Sequence, residues 1–159
     1  MKLRLSRYFP AILGLAIIAG IGVATHSTGT PVASADGFGR TEVTFTKWVS
    51  GFPNLVGVSG GDVGNGTFAG TVITRDPTLG NGQITKITAE YQFKGSAHSS
   101  IASVHVWQFG TSFAVINGAV TSGWKQGATV HGMYRVISCP EAPSGTCFQG
   151  TVYFAGGAP

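Results

Sequence analysis

The stretch ITKITAEYQFKGSAHSSIASVHVWQF, residues 84–109, decides the fold class. Two runs of β-branched and aromatic residues, 84–93 and 99–109, flank the short polar segment KGSA. Such runs around turn-forming residues predict two antiparallel strands. In the first run apolar and polar residues alternate, which places two sets of side chains on opposite faces of one strand. One set is Ile87, Ala89, Tyr91 and Phe93, and the other is Lys86, Thr88, Glu90 and Gln92.

The same pattern recurs along the rest of the chain after residue 36. Further runs predict strands at 41–49, 67–74, 112–121, 128–137 and 147–154, and turn segments such as DPTLGNG at 76–82 separate them. No segment has a sustained helical period, and 21 glycines lie in this part of the chain. We therefore expect an all-β domain of many short antiparallel strands, either a sandwich or a closed barrel.

The first 35 residues predict a cleaved signal peptide. Three positive charges within the first seven residues precede an apolar stretch of 14 residues at 11–24. That stretch is shorter than the roughly 18 to 20 residues that span a bilayer. The tripeptide ending at Ala35 fits the A-x-A cleavage pattern, so we expect cleavage after Ala35 and a secreted, extracellular domain at 36–159. An uncleaved membrane anchor is the alternative, and no membrane contact is expected once the leader is removed.

Charge and cysteine content narrow the class further. The net charge of +4 includes the three positive charges of the leader, which leaves +1 on the mature domain. A nucleic-acid surface needs clustered Lys and Arg, so no such partner is predicted. Cys139 and Cys147 enclose a loop containing Pro and Gly, which in an exported chain predicts a disulfide. Closing a loop of this length stabilises the fold by about 2.6 kcal/mol.

Two motifs match a catalytic pattern without its context. GVSGG at 57–61 fits a nucleophile elbow, but no helix is predicted after Ser59, so a hydrolase is not expected. GNGTFA at 64–69 fits a dinucleotide fingerprint but leads into a predicted strand, so we interpret it as a turn. The histidines at 98, 105 and 131 lack chelate spacing. We therefore expect no metal and no cofactor.

Two residues within strands are candidate catalytic groups, Glu90 and His105. A carboxylate inside a barrel is costly unless it is paired, so an inward Glu90 would be functional, whereas its polar neighbours favour the solvent face. His105 lies between Val104 and Val106 and is either an acid or base or a histidine of the core or an interface. The candidate ligand-binding residues are Trp107, Tyr91, Phe93 and Asn117.

Three segments together resemble the allene oxide cyclase barrel family, above all its secreted bacterial members, which are distantly similar to dirigent proteins. One is the strand ending in Tyr91 and Phe93, followed by a glycine and His98. Another is AVING at 114–118 with a Gly-Trp turn at 123–124, and the third is the glycine-rich strand 127–132. The resemblance covers roughly residues 56–154.

This resemblance implies an eight-stranded antiparallel barrel with an apolar cavity, often trimeric. In the plant enzymes the cavity binds an unstable fatty-acid epoxide, and a glutamate and a cysteine are associated with ring opening. Neither residue carries over to this chain. The position of the family cysteine falls near Gly70, and the first strand has Glu42 only near its beginning. His98 matches a family position and is expected to be structural.

Two functions follow as hypotheses. One is a secreted isomerase or cyclase acting on an apolar small molecule, and the other is a non-catalytic carrier or binding module for such a ligand or for a partner at the cell surface. The run FAVINGAV at 113–120 is apolar on both faces except at Asn117, so we expect both faces to be covered. A homo-oligomer, with a trimer favoured, would cover the outer face.

Overall fold

The structure is a computed structural model that describes residues 40–159; the predicted leader and its cleavage site lie outside the described residues. Eight strands pair antiparallel in chain order, and the last pairs with the first to close a barrel. The all-β class and the closed barrel are confirmed. Within residues 40–159 no helix is long and apolar enough to cross a membrane. The strands are β1 (Thr41–Gly51), β2 (Asn54–Gly61), β3 (Gly66–Leu79), β4 (Ile84–Gly95), β5 (Ser99–Phe109), β6 (Phe113–Gly123), β7 (Thr129–Ser138) and β8 (Thr146–Ala155).

The segmentation predicted from sequence is corrected at two places. The glycine-rich segment 54–61 forms β2, which had not been predicted as a strand. Its neighbour β3 continues to Leu79, through residues predicted to form a turn, and its pairing with β4 is interrupted by shifts of register. At Gly57 an added Cβ would lie 2.0 Å from the carbonyl oxygen of Thr46, so glycine is required where β2 passes β1. The GVSGG motif therefore belongs to a strand, where the Ser59 hydroxyl donates to the Thr67 carbonyl at 3.1 Å.

Aromatic rings fill the middle of the barrel. Phe45 and Phe68 stack with ring centroids 5.6 Å apart, and Phe68 meets Tyr91 edge to face at 5.0 Å. Phe93 continues the cluster, at 5.5 Å from Phe68 and 6.0 Å from Phe154. Each such pair contributes about 0.5–1.5 kcal/mol beyond the burial of its apolar surface. This ring cluster is the centre of the core.

The two ends of the barrel differ. The connections β2–β3, β4–β5 and β6–β7 lie at one end, where Val63 and Ala128 are fully buried in the core. At the same end the His98 ring stacks on Trp124, with centroids 3.9 Å apart, and the Ser100 hydroxyl donates to the Trp124 carbonyl at 2.6 Å. This end is closed by packing. The other connections form the opposite end, called the cavity end below.

The outer face of β6 continues an exposed apolar surface. Ile116 points into the barrel and is fully buried, whereas Val115 lies opposite Trp107 of β5 and Met133 of β7 in the sheet register. Met133 is 58% exposed, and Phe113 is 42% exposed and stacks on Phe109 at 4.9 Å. We call this surface the β5–β7 patch; Trp107, Phe113 and Met133 are exposed in it, and Phe109 and Val115 are half-buried. The barrel covers only the inner of the two apolar faces predicted for this strand.

A disulfide fixes the last connection on the outside of the barrel. Cys139 and Cys147 are bonded, with Cα atoms 5.7 Å apart, which confirms the predicted pairing. Both are buried in a small cluster with Ala142, against which Trp48 and Ile137 pack. The cross-link therefore holds the β7–β8 connection against β1 and β7.

Replacing both cysteines by alanine should lower the free energy of unfolding by up to about 2.6 kcal/mol, because the unfolded chain regains the entropy of the open loop. Urea unfolding monitored by circular dichroism measures this difference. The reduced wild-type protein is the control and should lose a similar amount. A double variant as stable as the oxidised wild type would contradict the assignment of a stabilising role.

Candidate functional site

Both candidate catalytic residues lie on the outside of the barrel. Glu90 is exposed and lies between Thr71 of β3 and Ser103 of β5 in the register. His105 is also exposed, and its Nδ1 lies 3.3 Å from the Thr88 hydroxyl oxygen on β4. Successive side chains of a strand alternate between faces, so the buried Tyr91 fixes Glu90 as outward. The solvent face favoured for Glu90 is confirmed, and the alternative, in which Glu90 or His105 is an acid or base inside the cavity, is wrong.

The four candidate binding residues divide between the faces. Tyr91 and Phe93 are both buried inside the barrel, but only Tyr91 lines the interior cavity described below, and Phe93 is packed in the core. Trp107 lies on the outer face, where the Lys86 ammonium group is 5.3 Å from its ring centroid. Asn117 is exposed, and its Oδ1 lies 2.9 Å from the His131 Nδ1. Trp107 and Asn117 therefore cannot line an interior cavity.

The potential metal ligands of the described residues are dispersed over the barrel. Within residues 40–159 no three His, Cys, Asp or Glu side chains are grouped closely enough to hold a metal ion. The histidines at 98 and 105 lie on different parts of the barrel, one stacked on Trp124 and one beside Thr88.

The interior group with the most unusual environment is Lys47. On β1 the residues Val43, Phe45 and Lys47 alternate inward and are buried, with Lys47 only 2% exposed. The Lys47 Nζ donates a hydrogen bond to the Tyr91 hydroxyl. Rings also surround the nitrogen, with centroids at 3.8 Å for Tyr91, 4.8 Å for Tyr134, 5.3 Å for Phe45 and 5.4 Å for Phe68. The Lys47 amine thus packs against the ring cluster, on the side that faces the cavity end.

A cavity of about 290 Å³ leads from the cavity end to this amine. Its wall is mostly apolar, with a few polar groups, and includes the β1–β2 connection at Phe52 and Pro53. Of the lining residues, all within 40–159, none carries a carboxylate, whereas Lys47 and Arg75 are both basic. The other lining residues are Val49, Leu55, Val72, Ile87, Tyr91, Gln108, Tyr134 and Phe148.

Burial governs the protonation of the polar groups in this cavity. Loss of hydration lowers the pKa of Lys47 well below 10.5. Contact between an ammonium group and aromatic rings can return about 2 kcal/mol, but removing the charge from water costs several kcal/mol. Burial, and then the neighbouring Tyr134, raise the pKa of Tyr91 well above 10, so its hydroxyl keeps its proton. In this pair, burial therefore favours the unprotonated amine of Lys47 and the protonated hydroxyl of Tyr91.

The second tyrosine of the cavity is held in a hydrogen-bonded chain. The Tyr134 hydroxyl donates to Gln108 Oε1 at 2.9 Å, and Gln108 Nε2 donates to the Gly110 carbonyl at 3.0 Å. Burial raises the pKa of Tyr134, which also remains protonated. Because Gln108 uses both ends of its amide, this chain fixes Tyr134. The Lys47–Tyr91 pair and Arg75 are the remaining polar groups of the lining.

Lys47 was not among the residues singled out from the sequence, although the sequence carries a signal for it. In TEVTFTKWV the residues at 43, 45, 47 and 49 share one face, and all but Lys47 are apolar. A lysine on the apolar face of an alternating strand is costly to bury, which marks it as a candidate functional residue. Alternation, which groups Glu90 with the polar face of β4, places Lys47 on the apolar face of β1.

The stability difference between wild type and Lys47→Met should depend on pH. A lysine whose pKa is lowered by folding binds its proton less readily in the folded state, so the wild type becomes more stable as the pH rises toward 10.5. We expect Lys47→Met to be the more stable protein at pH 7, and its advantage to shrink by up to about 1.4 kcal/mol per pH unit. Urea unfolding from pH 6 to 9.5 measures this, below the range in which tyrosines ionise.

The matched control is Lys86→Met, which removes an exposed lysine from the outer face of β4. Its stability should follow that of the wild type at every pH. Parallel pH profiles for wild type and Lys47→Met would contradict the lowered pKa.

Comparisons of the chain with protein-family models, curated proteins and solved structures found no match. The kind of ligand that the barrel accepts is therefore inferred from the geometry of its interior.

Proposed function

We propose that this barrel binds a small, largely apolar molecule in the cavity at its open end. The observation that carries the proposal is a cavity with mostly apolar walls that ends on the buried Lys47–Tyr91 pair. Ligand sites in proteins combine an apolar lining with a few polar groups that fix orientation. Leu55, Val72 and Ile87 supply apolar wall, and the amine and hydroxyl supply the polar contact.

The size and charge of the cavity restrict the ligand. A volume of about 290 Å³ is at the lower end of the range for small-molecule sites, roughly 300–1,000 Å³, so a compact ligand fits best. Its polar group should accept a hydrogen bond from Lys47, as a hydroxyl or carbonyl oxygen does. Cations are disfavoured because Arg75 and Lys47 are basic and no lining residue within 40–159 carries a carboxylate.

A second candidate function is an isomerase or cyclase that acts on such a molecule. The observation in its favour is the same pair, since an amine that gives up its proton and a phenol that keeps one can serve as base and acid. Incubation with lipid extracts followed by mass spectrometry distinguishes the two functions. A ligand recovered unchanged supports carriage, and a rearranged product supports an enzyme.

The relation to the allene oxide cyclase barrel family is part of the proposal. It is supported by the order of the three sequence segments and is compatible with the closed eight-stranded barrel. We also propose that the protein acts outside the cell, because the sequence predicts a leader for export. The Cys139–Cys147 disulfide supports this, since disulfides form and persist in oxidising compartments.

We also propose that copies of the chain associate, as a trimer, through the β5–β7 patch. Contiguous exposed apolar side chains on a soluble protein are typical of interaction surfaces. The patch joins neighbouring residues of three adjacent strands, with Val115 between Trp107 and Met133. Association would remove these side chains from water and cover the outer apolar face of β6.

Binding can be tested with hexan-1-ol as the probe. Methyl signals of Leu55, Val72 and Ile87 should shift in NMR spectra on titration, because these side chains line the cavity. The exposed methyl groups of Val58 and Ile73 should not shift.

Two matched variants test whether hexan-1-ol binds inside the barrel. Ile87→Trp fills the cavity with a larger side chain and should abolish the shifts of Leu55 and Val72. Ile73→Trp makes the same change on the outer face, where Ile73 is 61% exposed, and should leave binding intact. Equal binding by the two variants would refute the site.

Association can be tested by light scattering at micromolar concentration. The wild type should have the mass of an oligomer, and Val115→Lys should reduce it to that of one chain, because a charge at the centre of the patch would lose its hydration on association. Ile73→Lys is the matched control on the outer face of β3 and should not change the mass. A monomeric wild type would refute the proposal.

A further inference from the structure

We propose that Lys47 captures a small apolar aldehyde or ketone as an imine inside the barrel. This inference rests on the proposed function, because the carbonyl compound must first enter the cavity. It adds to that function a class of ligand and a covalent bond.

The geometry separates Lys47 from the other lysines of the described chain. Lys47 is buried and is one of the residues that line the cavity at the cavity end of the barrel. Lys86 and Lys94 are exposed on the outer surface, and the Nζ of Lys125 lies 5.7 Å from the Trp124 ring centroid at the closed end. Among residues 40–159, Lys47 is the lysine that a ligand in this cavity meets.

The environment favours attack by nitrogen on carbon. An amine is nucleophilic only without its added proton, and burial of lysine in an apolar pocket is a general means of activating it. The pKa of Lys47 is lowered by such burial, whereas a solvated lysine remains protonated at neutral pH. The cavity wall includes no carboxylate among its lining residues at 40–159 that would hold the ammonium form.

Tyr91 is placed to move the protons of the reaction. The Nζ lone pair attacks the carbonyl carbon, a C–N bond forms, and the carbonyl oxygen gains a proton to give a carbinolamine. In that step the nitrogen gives up one of its two protons. Loss of the second proton together with the hydroxyl group, as water, then breaks the C–O bond and gives the C=N imine. The Tyr91 hydroxyl, which is hydrogen-bonded to Nζ and keeps its proton, can donate to the carbonyl oxygen and recover a proton from nitrogen. One water is released, and no oxidant or reductant is needed.

The shape of the site selects the ligand. The mostly apolar walls around Leu55, Val72 and Ile87 suit a short hydrocarbon chain, and the carbonyl group must lie at the amine. Tyr134 is held by Gln108, so it borders the reaction centre without competing for the ligand oxygen. A short-chain aldehyde such as hexanal fits both requirements.

The test treats the purified protein with hexanal and sodium cyanoborohydride at pH 7, which reduces an imine to a stable amine. Intact mass should increase by one hexyl group, and peptide mapping should place that group on Lys47. Because burial leaves more of the Lys47 amine unprotonated, Lys47 should be labelled before the exposed Lys86 and Lys94.

Variants separate covalent capture from binding alone. Lys47→Arg keeps a basic side chain but should lose the adduct, whereas Lys86→Arg should retain it. Tyr91→Phe should slow adduct formation by roughly a hundredfold, the usual effect of losing a general acid. If Lys47→Arg does not fold, the position of the adduct in the wild type still decides the question.

The outcomes distinguish this inference from the proposed function. Binding of hexan-1-ol together with a single adduct on Lys47 supports both. Binding of hexan-1-ol without an adduct, or with label distributed equally over the exposed lysines, overturns the imine and leaves the binding function standing. Failure of both probes to enter the cavity overturns both proposals.

Discussion

The fold depends on the ladder that joins β1 to β8. Seven residue pairs, from Thr41 with Phe154 to Lys47 with Phe148, close the sheet into a barrel. Without this ladder both strands would expose unpaired backbone groups along an edge. The inner faces would also lose their partners across the barrel, because the ring cluster combines Phe45 of β1 with Phe93 and Phe154 of later strands. Closure is thus the condition for having an interior at all.

Closure also sets how much room the interior has. Eight strands enclose a space that side chains can nearly fill or that can hold one small ligand. At the closed end Val63 and Ala128 complete the filling, and the aromatic rings occupy the middle. Toward the other end the filling stops at Lys47, and the remaining space is the cavity. The proposed ligand site is the part of the barrel interior that the core does not occupy.

Lys47 gives this space its chemical character. A neutral apolar residue there would extend the core, whereas the amine introduces a polar contact at high cost in desolvation. Its hydrogen bond to Tyr91 and the rings around it reduce that cost. The same surroundings that lower the pKa of the amine make it reactive, so stability and reactivity oppose each other at this position.

Several features were predictable because they are local. β-branched and aromatic runs between turn residues predicted the all-β class and seven of the eight strands, and alternation on β4 grouped Tyr91 with Phe93 and Glu90 with Lys86. The spacing of Cys139 and Cys147, together with the predicted export of the chain, predicted their bond, since a short loop keeps two thiols close. The barrel itself was implied by the family resemblance, while residue patterns alone left a sandwich open.

Other features depend on contacts between distant segments, and the tertiary structure decided them. Alternation groups the residues of a strand by face, but closure decides which face is inside, and it placed Glu90 and His105 outside. β2 was missed because glycine has low strand propensity; its extended form is imposed by hydrogen bonding to β1 and β3 on both sides. Lys47 belongs to a site only because Tyr91, 44 residues away, meets it across the interior. The residues of the cavity come from seven strands, and no local pattern in the sequence brings them together.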